Sequence, residues 1–178
     1  MNIWHDMAPD AITPDSFSAV IEISKGGKIK YELDKSTGLL RMDRILYTST
    51  HYPANYGFIP LTYADDHDPL DVLVICSEAI QPMTLVDCYP IGVIRMIDSG
   101  LLDEKIIAIP HADPNYNSYH SIYNLPDHIH AEMSHFFTVY KQLERKSTLV
   151  DDVGGPEEAR SIIAKTIQQY KEKILPQR

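Results

Sequence analysis

The stretch Asp66-His67-Asp68-Pro69-Leu70-Asp71-Val72-Leu73-Val74-Ile75 carries more information about this chain than any other. Three carboxylates fall within six residues, and an apolar run typical of a fully buried strand follows at once. Two carboxylates about 4 Å apart repel each other by roughly 4 kcal/mol at an effective dielectric constant near 20, so such a group needs cations to stay ionised. Oxygen ligands without a nearby cysteine or paired histidine favour Mg²⁺, Mn²⁺ or Ca²⁺ over zinc. The stretch therefore predicts a site for hard divalent cations at the mouth of a buried strand.

Two other interpretations of the acidic stretch compete with a metal site of this kind. An EF-hand loop would place Asp66 and Asp68 at its first and third positions. However, Asp71 stands where that loop requires glycine, and Ser77 stands where it requires glutamate, so the EF-hand interpretation fails. A solvated acidic turn that caps the strand remains open, because charged residues mostly lie on the surface.

The length and charge of the chain limit its class and its partners. A chain of 178 residues fits one domain, spanning residues 1–178, and is long enough to bury a core. The formal net charge of −9 argues against nucleic acid and anionic membranes as partners, because such surfaces attract clustered lysine and arginine. An anionic substrate would consequently need metal ions in order to bind.

The cysteines and the first residues of the chain bear on its compartment. Cys76 and Cys88 each lie in an apolar segment that reads as a strand, without metal-binding spacing, so we expect two buried free thiols and no disulfide. Residues 1–14 lack the basic start and the apolar core of a signal peptide, and no apolar run approaches the length of a membrane span. These patterns predict a cytoplasmic protein.

Short apolar runs separated by turn residues predict a chain rich in β-strands. Residues 20–23 and 29–33 flank Gly26-Gly27, which predicts a β-hairpin with Lys30 and Glu32 on one face. A turn over residues 35–38 leads into a strand over residues 39–46. Side chains alternate between the two faces of a strand, so Arg44 should point to the same face as Leu40 and Met42. Arg44 is therefore expected on the apolar face of the sheet.

Further strands are predicted over residues 71–75, 86–97 and 105–109, with a turn at Pro82 and a loop over residues 98–103. Five or more short strands joined by hairpins favour a small closed barrel over a layered βαβ sheet. The sequence period then changes to 3.6, which predicts two helices in the C-terminal half. Pro126-Asp127 begins the first helix, whose apolar stripe consists of Ile129, Met133, Phe136, Phe137, Tyr140 and Leu143. Gly155-Pro156 begins the second, whose stripe consists of Ala159, Ile162, Ile163, Thr166, Ile167, Tyr170 and Ile174.

Several polar residues are unusual for their type and strand parity. The acids are Glu22, Glu32, Asp66, Asp68, Asp71, Asp98 and Asp103; the bases are Lys30, Arg44, Lys105 and Lys141; the tyrosines are Tyr52, Tyr56 and Tyr140. Carboxylates that hold Mg²⁺, together with cations that neutralise phosphate oxygens, favour phosphoryl-transfer chemistry. The chain contains no P-loop and no Gly-x-Ser-x-Gly elbow, so nucleotide-loop and serine-hydrolase interpretations have no support.

These motifs resemble those of the family I soluble inorganic pyrophosphatases, of the bacterial type. The run 66–72 matches the Asp-x-Asp-Pro-x-Asp signature of that family. The blocks at residues 29–32, 43–44, 52–57, 98–105 and 135–141 also resemble the family and occur in the same order. The resemblance implies a mainly β fold, namely an OB-like five-stranded closed barrel with two helices in the C-terminal half. It further implies hydrolysis of pyrophosphate to two phosphates by a metal-activated water, and a homo-hexamer.

The resemblance also implies roles for individual residues and a cofactor. Asp68 would accept the proton of the attacking water. The metal ligands would be Asp66, Asp71 and Asp103, with Asp98 and Glu32 serving metals that arrive with the substrate. The phosphate-binding groups would be Lys30, Glu32, Arg44, Tyr56, Lys105, Tyr140 and Lys141, supported by Glu22 and Tyr52. The cofactor would be Mg²⁺, with Mn²⁺ or Zn²⁺ as substitutes and Ca²⁺ as an inhibitor.

One departure and two alternatives accompany the resemblance. Ser99 stands where members of the family often carry an acidic residue. This departure is expected to change how tightly the site binds metal ions. An OB-type module that binds single-stranded nucleic acid would need a basic groove, whereas the groove residues here are carboxylates. A structural Ca²⁺-binding protein would explain the acids but would leave the lysines and Arg44 without a role.

Overall fold

In the computed structural model, which describes residues 2–177, seven strands precede the first of two helices and an eighth strand lies between them. The strands are β1 (Phe17–Ile23), β2 (Ile29–Leu33), β3 (Leu40–Ile45), β4 (Asn55–Ile59), β5 (Leu70–Val74), β6 (Leu85–Asp98), β7 (Leu101–Pro110) and β8 (Thr148–Gly154). The helices are α1 (Asp127–Val139) and α2 (Pro156–Lys173).

Five of the strands pair in a closed ring. β1 pairs antiparallel with both β4 and β6, β4 pairs antiparallel with β5, β5 pairs parallel with β7, and β7 pairs antiparallel with β6. Because every strand of the ring has two neighbours, none of the five leaves an open edge. The ring and the two helices of the C-terminal half confirm the predicted OB-like barrel.

The predicted hairpin around Gly26-Gly27 is wrong. β1 is buried along its whole length and both of its edges are occupied by β4 and β6, so β2 cannot pair with it. Instead Gly26 donates its backbone N–H to the carbonyl of Tyr52 at 2.8 Å, and Tyr52 donates to Gly27 at 3.0 Å. The positive φ of Gly26 allows the chain to turn away from the ring at this point.

β2 pairs with β3 in a separate two-stranded sheet, through the predicted turn at residues 35–38. Lys30 and Glu32 share one face of β2, as predicted, and they form an ion pair. The expectation that Leu40, Met42 and Arg44 face an apolar side is wrong, because Met42 is 55% exposed. The hairpin lies outside the ring, where Leu33 of β2 packs in a cluster with Val20 of β1 and Phe58 of β4.

Two strands were not predicted, β4 and β8. β4 is short and contains Gly57, a residue that weakens a strand pattern. The glycine is needed because a Cβ there would lie 1.8 Å from the carbonyl oxygen of Val20, so β1 and β4 approach closely. β8 pairs with β6 outside the ring, and a bulge opposite Arg95 and Met96 interrupts its alternation of exposed and buried residues.

The loop predicted over residues 98–103 is a two-residue turn. Ser99 and Gly100 both have positive φ values, of 52° and 84°, as tight hairpin turns of the primed type require. β7 therefore begins at Leu101, and Asp103 lies opposite Met96. Asp98 and Asp103 consequently lie on the same face of the β6–β7 hairpin.

Both predicted helices form and pack on the ring. α1 buries Met133, Phe136 and Phe137, and Tyr140 caps it and is also buried. The inclusion of Leu143 in the first stripe is wrong, because α1 ends at Val139 and Leu143 is 65% exposed. The second stripe is confirmed, since α2 buries Ala159, Ile162, Ile163, Thr166 and Tyr170.

The two cysteines differ in their environments. Cys88 is fully buried in β6, as predicted. Cys76 follows the end of β5 and is only half-buried, so the prediction of a buried strand thiol is wrong at this position. Within residues 2–177, neither helix combines the length and the apolar character needed to cross a membrane.

Candidate active site

The predicted site residues converge on one cavity of about 340 Å³. Twelve of the fourteen line it: Glu22, Lys30, Glu32, Tyr56, Asp66, Asp68, Asp71, Asp98, Asp103, Lys105, Tyr140 and Lys141. They come from β1, β2, β4, the turn before β5, β5 itself, the β6–β7 hairpin and the two residues that follow α1. The barrel thus gathers residues from distant parts of the sequence around one polar chamber.

Lys105 forms the buried centre of this cavity. The parallel register of β5 and β7 places it beside Asp71, and its Nζ donates to the Asp71 carboxylate at 2.7 Å and to both oxygens of Asp103 at 3.0 Å. Tyr56 donates its hydroxyl to Asp71 at 2.6 Å. Burial alone would lower the pKa of Lys105, but Asp103 and Asp71 hold that pKa well above its usual value. Lys105 therefore stays charged.

Two further lysines of the cavity are paired with carboxylates. Lys141 donates to Asp98, and Lys30 donates to Glu32. Burial would raise the pKa of Asp98, but the contact with Lys141 holds that pKa below its usual value. Positive and negative groups therefore alternate along the walls, so the cavity can bind a cation and a polyanion side by side.

The acidic turn points into the cavity and is not merely solvated. His67 has a positive φ of 71°, which turns the backbone so that Asp66 and Asp68 both line the cavity. Burial, followed by the charge of Asp71, raises the pKa of Asp66 to about 6. Burial likewise raises the pKa of Asp103. The predicted alternative of a solvated turn therefore does not describe Asp66.

The donor set fits hard divalent cations. Asp66, Asp71 and Asp103 offer carboxylate oxygens to the same cavity, and their mutual repulsion would fall if a cation bound between them. Among residues 2–177, no three acidic, histidine or cysteine side chains are grouped tightly enough to hold an ion as they stand. Binding would therefore require Asp71 and Asp103 to turn away from Lys105.

Glu22 is a buried carboxyl group in the wall of the cavity. It lies on β1 and is 7% exposed, and its Oε1 accepts a hydrogen bond from the backbone N–H of Leu33 at 2.8 Å. Burial, then the charge of Asp71, raises the pKa of Glu22 to about 8. The carboxyl group thus joins the β2–β3 hairpin to the ring while remaining largely neutral.

We expect a Glu22→Gln variant to be less sensitive to rising pH than the unchanged protein. The folded state keeps the proton of Glu22 up to about pH 8, whereas the unfolded chain releases it near the ordinary glutamate pKa of 4.5. The unchanged protein should therefore lose stability between these pH values, at about 1.4 kcal/mol per pKa unit. Glutamine keeps the oxygen that accepts from Leu33 but does not titrate. Urea unfolding at several pH values in chelator measures the difference, and parallel curves would contradict it.

Two predicted site residues do not line the cavity. Tyr52 is 2% exposed and lies behind the wall, with its ring 5.3 Å from that of Tyr56 and 4.8 Å from that of Phe136. Arg44 pairs with Asp43 and places its Nε 2.8 Å from the Glu144 carboxylate. It lies opposite Lys30 in the β2–β3 hairpin, next to the cavity but outside its lining.

The sequence analysis missed Lys35, which lines the cavity and contacts Asp68. Turn residues at positions 35–38 indicated an exposed hairpin tip, and nothing in the local spacing marks this lysine. Only the way the hairpin folds over the acidic turn brings Lys35 and Asp68 together.

The chain is similar to proteins of one known family. A family model described as inorganic pyrophosphatase matches residues 19–171. The soluble inorganic pyrophosphatase 2 of Chlamydomonas reinhardtii is 47% identical over 175 residues, covering 98% of this chain and 91% of that protein. The inorganic pyrophosphatase of Helicobacter pylori has a TM-score of 0.86 and 42% identity, over 89% of this chain and 95% of that one. The inorganic pyrophosphatase of Thermus thermophilus has a TM-score of 0.89 and 32% identity, over 96% of this chain and 99% of that one.

Proposed function

Since the chain belongs to the inorganic pyrophosphatase family and hydrolyses pyrophosphate to two phosphates, we propose that this reaction takes place in the cavity between the barrel and the β2–β3 hairpin. The observation that carries the proposal is the mixed charge of the cavity. Seven carboxyl groups and the lysines Lys30, Lys35, Lys105 and Lys141 line a space of about 340 Å³, which suits a small polyanion accompanied by metal ions.

The lysines and tyrosines of the cavity are proposed to bind phosphate oxygens. Lys30, Lys105 and Lys141 offer ammonium groups, and Tyr56 and Tyr140 offer hydroxyls within the same space. Arg44 joins this set from beside Lys30, while Tyr52 supports the ring of Tyr56 from behind. In a partly buried site these donors hold the charges of the phosphates without waiting for solvent to reorganise.

Asp68 is proposed as the general base. It lies on the rim of the cavity with a side chain that is 54% exposed, so a water molecule can reach it. Its carboxylate would accept the proton of the water that attacks phosphorus, and the neighbouring lysines would hold the departing phosphate.

Magnesium is proposed as the cofactor, held tightly by Asp66, Asp71 and Asp103, with Asp98 and Glu32 for ions that enter with the substrate. When bound, Mg²⁺ would neutralise phosphate oxygens and lower the pKa of water. Mn²⁺ or Zn²⁺ would substitute for it, and Ca²⁺ would inhibit. Binding of Mg²⁺ agrees with the oxygen donors of the cavity and with the pKa of Asp66, which burial and then the charge of Asp71 raise.

Other properties, predicted from the sequence or implied by the resemblance, remain proposals. We propose a single domain over residues 1–178, a homo-hexamer and a cytoplasmic location. The bacterial type also remains a proposal, because the similar proteins include an algal protein as well as bacterial ones. Neither a nucleic-acid-binding module nor a purely structural Ca²⁺-binding protein is favoured, because carboxylates and lysines share the cavity.

The assay that tests the proposal measures phosphate release from pyrophosphate in the presence of Mg²⁺. Tripolyphosphate and nucleoside triphosphates serve as competing substrates of the same chemical class. We expect pyrophosphate to give the highest kcat/KM, because the cavity suits two phosphate groups. Faster release of phosphate from a nucleotide would overturn the assignment.

We expect Mg²⁺ to stabilise the folded protein in the absence of substrate. An ion that binds the folded chain alone, at about 100 times its dissociation constant, stabilises by roughly 2.7 kcal/mol. The thermal midpoint should consequently rise by roughly 5–10 °C. Calorimetry with and without Mg²⁺ at constant ionic strength measures this shift, and Asp66→Asn should reduce it. An unchanged midpoint would count against a magnesium site in the cavity.

A further inference from the structure

Lys35 combines an exposed position with a specific contact in the cavity. It follows β2 at the tip of the β2–β3 hairpin, and its side chain is 47% exposed. Its Nζ nevertheless donates to Oδ1 of Asp68, on the opposite side of the cavity rim. Ordering a long lysine side chain at the surface costs rotamer entropy, and a single exposed ion pair seldom offsets that cost. Other contacts must therefore help to hold Lys35 in place.

The backbone of the turn supplies part of that support. Oδ1 of Asp34 accepts hydrogen bonds from the backbone N–H groups of Ser36 at 3.0 Å and Thr37 at 3.1 Å. Arg41 donates its Nε to the other oxygen of Asp34 at 3.0 Å. The Ser36 hydroxyl also donates to Oδ1 of Asp34 and contributes most to lowering the pKa of Asp34 far below its usual value, followed by Arg41 and the backbone N–H groups. The peptide unit after Lys35 is thereby fixed, and the unit before it is fixed by the Gly38 N–H, which donates to the Asp34 carbonyl at 2.8 Å.

The N-terminal segment supplies the rest. Asn2 donates its side-chain N–H to the carbonyl oxygen of Lys35 at 2.8 Å. Nζ of Lys35 also lies 5.3 Å from the ring centroid of Trp4, within cation–π range. Trp4 is 5% exposed and donates its ring N–H to the carbonyl of Thr62 at 2.9 Å, so the ring itself cannot shift. The backbone of Lys35 is therefore held by Asn2, and its ammonium group is held by the ring of Trp4.

We propose that Lys35 is a positioning residue that orients the Asp68 carboxylate, and that the N-terminal segment acts on the reaction through it. This inference rests on the proposed role of Asp68 as general base. Asp68 follows a turn at His67 and is more than half exposed, so its carboxylate would otherwise rotate freely. Proton transfer requires the base to lie within hydrogen-bond reach of the water, and small misplacements cost rate steeply.

The test compares Lys35→Met with Lys35→Arg. Methionine keeps the length and apolar stem of lysine but cannot donate, so kcat should fall about tenfold while KM changes less than about threefold. Arginine restores a cationic donor and should recover most of kcat. The control is Lys171→Met, which removes the same charge from the exposed face of α2 and should leave kcat and KM unchanged. Circular dichroism confirms that each variant is folded.

A binding measurement and a double variant separate this inference from its alternatives. Calorimetric titration of methylenediphosphonate with Mg²⁺ should give the same dissociation constant for Lys35→Met and the unchanged protein. In an Asp68→Asn background, Lys35→Met should cause no further loss of kcat. If Lys35→Met bound the diphosphonate more weakly but kept its kcat, Lys35 would bind substrate and the inference would be wrong. The inference would also be wrong if Lys35→Met lowered kcat as much in the Asp68→Asn background as it does alone. Full activity of Asp68→Asn alone would refute the proposed base, which is a different failure.

Discussion

Replacement of Asp68 by asparagine is expected to lower kcat about 10²- to 10⁴-fold, the usual contribution of a general base. Asparagine has nearly the same size and can still accept from Lys35, but its amide is not a proton acceptor at neutral pH. Because Asp68 lies on the rim and is not among the proposed tight metal ligands, KM and the stabilisation by Mg²⁺ should change little. Steady-state measurement of phosphate release at saturating Mg²⁺ gives both constants.

The chain offers a close control for this variant. Asp65 lies three residues earlier and outside the cavity, where it pairs with Lys165 at 2.8 Å and accepts from Gln169 at 2.9 Å. Asp65→Asn removes the same charge from the same turn and should keep its kcat. A loss of less than threefold in Asp68→Asn, or an equal loss in the two variants, would remove Asp68 from the role of base.

Removal of divalent metal ions is expected to abolish pyrophosphate hydrolysis. The carboxyl group of Glu22 is largely neutral, but the six other carboxyl groups that line the cavity still outnumber the four lysines among the described residues of its wall. A polyanion would therefore be repelled unless cations entered with it. Phosphate release measured after exhaustive treatment with EDTA should fall to the uncatalysed level.

We expect activity to return in full when Mg²⁺ is added in excess of the chelator, because apolar side chains, and not metal ligands, form the core of the barrel. Circular dichroism of the chelated protein should show the same secondary structure as before. If hydrolysis persisted in EDTA while a fluorescent chelator confirmed that free Mg²⁺ was negligible, the carboxylates would need a role other than metal binding. Ca²⁺ in place of Mg²⁺ should leave the activity low.

The sequence predicted α1 and α2 well because their patterns are local. An apolar stripe with a period of 3.6 reports which face is buried, and Gly155-Pro156 marks the start of α2. The first stripe ran on to Leu143 because the pattern does not show that the helix ends at Val139. Helix ends depend on where the chain turns next, which propensity alone does not reveal.

Strand partners were harder to predict because they depend on distant segments. Residues 20–23 and 29–33 suit a hairpin locally, yet β1 pairs with β4 and β6, which lie much later in the chain. The close approach at Gly57 that permits this pairing is invisible until the ring is closed. Tertiary pairing here overrides a plausible local turn.

The members of the candidate site were predictable for a different reason, namely their chemistry. Glu22 and Lys105 are charged residues at strand positions whose side chains should point to the buried face of the sheet. Such residues are unusual, so they can be recognised in the sequence from their type and their place in the strand alternation. Lys35 and Ser99 illustrate the limit. A lysine in a turn looks ordinary, and the sequence does not show that Ser99 occupies a position of positive φ in a tight hairpin turn.

The packing of Lys35 on Trp4 also has an optical consequence. Trp4 is the one tryptophan among the 178 residues, so selective excitation of indole in this protein reports on a single place. That place is the support of the cavity rim, where an ammonium group lies 5.3 Å from the ring. A positive charge so near an indole changes its emission, and any rearrangement of Lys35 when ions or phosphates enter the cavity will therefore alter the fluorescence. The protein carries its own label for stopped-flow measurement of ligand entry, without a dye or an added tryptophan.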